Sequence, residues 1–122
     1  MADLILAPAA LRDIGSILAW TRERFGLTAQ QRYHLLVDRA ILDIAEDPVR
    51  IGSRAREDIS PVARTYHLWH SRNRAGAASE RVRQPRHFLL YRITDEGRVE
   101  VGRVLHESMD IATHLPESFE PS

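Results

Sequence analysis

Four side chains towards the C-terminal end, Tyr91, Arg92, Arg103 and His106, are of the types that cleave RNA. A phenol or imidazole moves a proton, and guanidinium groups stabilise the crowded phosphate of the transition state. Three of them also have a plain structural role: Tyr91 as core, Arg92 as a partner for Glu100, His106 as a polar strand end. His67 and His70 raise metal chemistry, but residues three apart on a strand point to opposite faces, and zinc wants three or four convergent ligands. The expectation is no metal site, no cofactor, and two partly buried histidines. Arg72, Arg74, Arg81, Arg83 and Arg86 form a third set, able to meet nucleic acid or an acidic protein surface. No aromatic residue is interleaved among them to stack on bases, so a solvated loop is expected and sequence-specific nucleic-acid binding is not.

The first set must be positioned by the stretch from His87 to His106. Two apolar runs, His87 to Ile93 and Val99 to His106, flank a polar turn with Asp95 and Gly97, a strong hairpin signal. The first run is apolar at almost every position and reads as central, covered on both faces; the second alternates more and reads as less completely covered. Pairing Ile93 with Val99 sets Arg92 opposite Glu100, an ion pair that would help fix register.

Upstream, Leu4-Ile5-Leu6 reads as a brief strand, and Pro8 as the opening of a helix. Leu11, Ile14, Leu18, Thr21 and Phe25 recur at helical spacing, and Gly26 is a natural stop. Thr28 to Gln31 has the form of a capping box for a second helix, whose stripe runs through Tyr33, Val37, Ala40 and Ile44 until Asp47-Pro48. Such stripes usually cover a sheet; Trp20 lies outside them and suits either a core or a partner. Val49 to Ala63 is broken by Gly52, Ser53, Ser60 and Pro61 and reads as loop, Thr65 to His70 as strand, and Ser71 to Arg86 as a mobile basic excursion. One helical turn is expected around Met109 to Thr113.

The 122 residues suffice for one core, and 43% apolar with 28% charged residues is ordinary for a folded chain. Without cysteine there is no disulfide framework, and neither a signal-peptide pattern nor a membrane-length apolar run is present. A cytoplasmic protein without membrane contact is the simplest reading. The net charge of zero hides −2 over residues 1–49, +6 over 50–106 and −4 over 107–122. All 17 basic residues are Arg, a usage that reflects genome base composition and carries no function here.

The runs at 87–93 and 99–106 resemble the C-terminal half of the RelE/ParE superfamily of bacterial toxins, where a Tyr-Arg strand neighbours one ending Arg-Val-Leu-His. The opening Leu-Ala-Pro-Ala-Ala-Leu-Arg-Asp-Ile at 6–14 extends the likeness over nearly the whole chain, and the ParE branch fits best. The expected fold is α+β: strand, helix, helix, strand, strand, strand, a small antiparallel-rich sheet with an N-terminal helical hairpin on one face. It forms one domain over residues 1–122 with a polar tail from about 115.

The resemblance implies a type II toxin, linked to plasmid stabilisation, that poisons DNA gyrase by binding and is not an enzyme. Its partner would be a ParD-like antitoxin whose C-terminal segment wraps over the hairpin and sheet. From charge and location, Arg64, Arg72, Arg86, Arg92 and Arg103 are the expected antitoxin or target contacts. The alternatives are a RelE-like ribosome-dependent mRNA endonuclease using Tyr91, Arg103 and His106, and a decayed toxin that only binds its antitoxin. The absence of Lys and the acidic segment after His106 favour gyrase.

Overall fold

Pro8 has no N–H to satisfy, which suits the first position of a helix, and the preceding Leu4–Leu6 (β1) leads directly into it. In the computed structural model, which describes residues 3–120, this helix is Pro8–Phe25 (α1) and the next is Leu27–Glu46 (α2). Gly26 alone joins them: at φ +94 its N–H closes α1 on the Arg22 carbonyl at 2.9 Å, while its own carbonyl accepts from Gln30. This sharp turn makes Leu27 helical already, so Thr28 is inside the helix and the expected capping box does not form. The Gln30 side chain instead reaches Leu18 O at 3.2 Å and ties the two helices together.

The α2 stripe is as expected, with Tyr33, Leu36, Val37, Ala40, Ile41 and Ile44 all buried. On α1 the inward face is Ala10, Ile14, Ile17, Leu18 and Thr21, whereas Leu11 and Phe25 are 52% and 65% exposed. Spacing of three and four permits two adjacent stripes, and packing selects the one that includes the small Ala10.

Five strands form one sheet in the order β1-β5-β4-β3-β2, with β1 parallel to β5 and the other pairs antiparallel. The remaining strands are Ser53–Ala55 (β2), Arg64–His67 (β3), His87–Ile93 (β4) and Val99–His106 (β5). β2 lies where the sequence reads only loop; three residues are too few to show a period. β3 stops at His67, three residues short of expectation, because His67 Nδ1 accepts the Trp69 N–H at 3.0 Å and turns the chain into a 3₁₀ helix at Leu68–Arg74. The basic excursion packs down, burying Ser71 and Ala75 and setting Val82 against the core.

The central hairpin has the expected register, Ile93 with Val99 and Arg92 with Glu100, the last pair at 2.5 Å. Gly97, at φ +80, closes the turn. Pairing slips between Leu90 and Tyr91, leaving Gly102 as the bulged residue. A Cβ there would come within 2.7 Å of Pro116 Cγ and 2.9 Å of a Phe119 ring carbon, because the C-terminal segment lies on this face. Ile111, Leu115 and Phe119 cover Phe88, Leu90 and Leu105, so β5 is buried on both faces rather than partly open, and the segment after 115 packs on the sheet instead of trailing as a polar tail.

Candidate functional site: a basic-rimmed cleft at the strand ends

Where the C-terminal turns of α1 and the first turns of α2 overhang the ends of β4 and β5, they leave a cleft of about 470 Å³. Trp20 and Phe25, edge to face at 5.8 Å, form one wall; Tyr33, Val82, His87 and His106 line the interior. Arg32, Arg81 and Arg86 border it. The Nε of Arg81 is buried without a hydrogen-bond partner among the described residues, a donor in need of an acceptor.

The cleft floor is a fixed hydrogen-bond chain. The Arg86 N–H donates to Tyr33 Oη at 3.2 Å, and the Tyr33 hydroxyl and His87 Nδ1 share a hydrogen bond at 2.6 Å whose direction follows the imidazole tautomer. Burial pushes the Tyr33 phenol up to about 12, against the lowering effect of the Arg86 amide. It also pushes His87 down to about 4, helped by His106, whose ring stands edge-on at 5.2 Å, and by His67. At the rim, Glu107 accepts from Arg86 Nη1 at 2.9 Å and from His67 Nε2 at 2.8 Å; these two hold its carboxyl below the usual range.

The residues that suit RNA cleavage are not assembled. Tyr91 is 0% exposed, its hydroxyl donated to Pro48 O at 2.5 Å and in contact with Ser53 Oγ. Arg103 is held by both oxygens of Asp13 at 2.7 and 2.9 Å, and Asp13 also accepts the Val104 N–H. His106 borders the cleft, but its strand partner is His87, four positions along β4 from Tyr91 and so about 13 Å away. Among the described residues no three His, Asp or Glu side chains are grouped to hold a metal ion.

The five arginines singled out by charge are dispersed. Arg64 donates to Ser53 Oγ at 2.9 Å; Arg72 stacks on Trp69 at 3.4 Å; Arg92 faces Glu100 and the Phe119 ring on the tail side. Only Arg86 borders the cleft. Sequence reasoning missed Tyr33 and Arg32 as cleft residues, since Tyr33 reads as one more member of an apolar stripe, whereas Arg81 belongs to the basic set expected to meet an acidic surface or nucleic acid. The available signal was Trp20, a large aromatic off the helical stripe.

Opposite the cleft, Asp43 is 0% exposed inside α2's apolar face. Arg39 Nε at 2.9 Å, Arg50 Nη1 and Arg74 Nε at 3.2 Å each converge on one of its oxygens, and the Ser71 hydroxyl donates to the other at 2.6 Å. Tyr66 then donates to Ser71 at 2.8 Å. Here the charges bind only each other, and they fasten the excursion to α2.

A helical hairpin on one face of a five-stranded sheet, with an apolar cleft rimmed by arginine at the strand ends, defines a small α+β protein built to bind. The sequence model described as "ParE toxin of type II toxin-antitoxin system, parDE" matches residues 4–111. The chain belongs to this ParE toxin family. It is 34% identical over 111 residues to Toxin ParE1 of Mycobacterium tuberculosis, in strains CDC 1551 / Oshkosh and ATCC 25618 / H37Rv, covering 91% of this chain and 95% of the relative. A type II system pairs each such toxin with an antitoxin. No helix among the described residues is long and apolar enough to cross a membrane.

Proposed function

We propose that this chain acts by binding DNA gyrase and is neutralised by a ParD-like antitoxin whose acidic segment occupies the cleft beside Tyr33 and His87. The observation that carries the binding mode over catalysis is the placement of Tyr91. Its phenol is enclosed by Ser53 and Pro48, with no path to a phosphate, and Arg103 is already neutralised by Asp13. The cleft favours a protein segment: Trp20 and Phe25 offer apolar contact, and Arg32, Arg81 and Arg86 surround it with cation. Of the five arginines expected from charge, Arg86 is assigned to the antitoxin.

Pulse labelling in the minutes after induction without antitoxin tests this reading. Protein synthesis continues while replication stalls, and the purified chain inhibits gyrase supercoiling. Immediate arrest of translation would replace it with mRNA cleavage. Tyr91→Phe sharpens the test: toxicity falls by no more than about threefold, against the ~10²-fold or larger loss expected of a proton-transfer residue.

A further inference from the structure

Ile51 is 93% exposed, yet the turn that presents it is held from three sides. Arg50 reaches Asp43 at 3.2 Å and lies 5.8 Å over the Tyr66 ring. The Pro48 carbonyl accepts the Tyr91 hydroxyl. Gly52, at φ +101, rests so closely on the His70 ring that a Cβ would come within 2.5 Å of its Cγ. An exposed isoleucine on a loose loop needs no explanation. On a turn fixed in this way it is a preorganised apolar anchor, able to enter a partner's recess at little ordering cost.

The surface continues beyond His70. Trp69 stands edge-on to that ring at 5.3 Å and is 46% exposed, and Arg72 stacks on the indole at 3.4 Å. Trp and Arg are the residue types that most often dominate protein interfaces. Arg72 has no acidic partner among the described residues; of the six Arg in residues 50–74, Arg50 and Arg74 are paired with Asp43 and Arg56 with Asp58, which leaves Arg54, Arg64 and Arg72 against Glu57, a positive excess that favours an acidic partner. None of these side chains lines the cleft assigned to the antitoxin.

Resting on the reading of this chain as a toxin with a target as well as an antitoxin, we propose that Ile51, Trp69 and Arg72 form the face that docks on the target, at an acidic protein surface with an apolar recess for Ile51. The buried Asp43 and Tyr91 networks thereby gain a role: they hold the turn and the Trp69 segment in one arrangement.

The test compares wild type, Ile51→Asp, and Ile51→Asp with Arg72→Glu, in two readouts. One is growth arrest on induction alone; the other is affinity for a purified ParD-like antitoxin that neutralises the wild type. Ile51 is exposed and Arg72 partly so, and an unchanged melting temperature establishes that each variant is folded. The double variant is expected to lose inhibition by about thirtyfold or more while antitoxin affinity stays within about threefold. Unchanged arrest overturns the proposal, as does a parallel loss of antitoxin affinity, which would make this the antitoxin's face. A wild type that arrests nothing has no target, and the proposal falls. Wild-type arrest with supercoiling intact removes gyrase as the target, and the same variants still decide the face.

Discussion

Tyr33 and Asp43 stand ten residues apart on the inner face of α2, about 15 Å along one helix, and they anchor opposite ends of the molecule. Around Asp43 the charges are spent on one another: three arginines, the half-exposed Arg74 among them, and a serine meet one buried carboxylate. Around Tyr33 the same residue types face a cleft, where Arg86 shares Glu107 with His67 and Arg32 and Arg81 border the opening. The difference lies in closure. Cations gathered on a buried anion stiffen the structure; one at an exposed rim, even with a surface anion beside it, is available to a partner.

The closed end breaks most severely at its centre. Asp43→Ala leaves Arg50 and Arg74 without an anion and Arg39 with only Glu46 at 3.5 Å, and should cost about 3–5 kcal/mol in urea unfolding, with the Leu68–Arg74 segment gaining amide exchange first. A cost below about 1 kcal/mol would show that the network is not the clamp described. Tyr91→Phe removes one hydroxyl from the same end and should cost about 1–2 kcal/mol, leaving antitoxin affinity unaltered.

The open end is probed by pH. His87 binds a proton in the unfolded chain near pH 6.5 but in the fold only near 4, so the unfolded state holds more protons in that window and stability falls as pH drops through it. About 1–2 kcal/mol should be lost between pH 7 and 4.5, allowing for the solvent that reaches the cleft. His87→Gln should flatten that part of the profile; an unchanged slope would move the effect to other groups. The smallest effect on stability is at Arg86→Gln, whose pair with Glu107 is exposed to solvent and screened by it. Its antitoxin affinity should nevertheless fall by about tenfold in titration calorimetry, which separates a rim cation from a structural one.

Much of this architecture is legible in the chain. The α2 stripe, the Pro8 start, the Gly26 stop and the Arg92–Glu100 register follow from period, backbone freedom and turn chemistry, all of which act over a few residues. The resemblance in the two hairpin strands carries the family. Other features depend on residues far apart in sequence. Asp43 reads as an ordinary helical acid until Arg50, Ser71 and Arg74 arrive from two later segments. Phe119 reads as a lone aromatic in a polar end until Gly102, bare of a side chain, receives it across 17 positions. Tyr91 and Tyr33 are both tyrosines in apolar runs, and the contacts of each hydroxyl, with Pro48 or with His87, determine which is sealed and which faces a cleft. Local pattern sets which elements form, because its forces are short-ranged. Only the closure of those elements on one another decides which charges are satisfied within the fold and which are left for a partner.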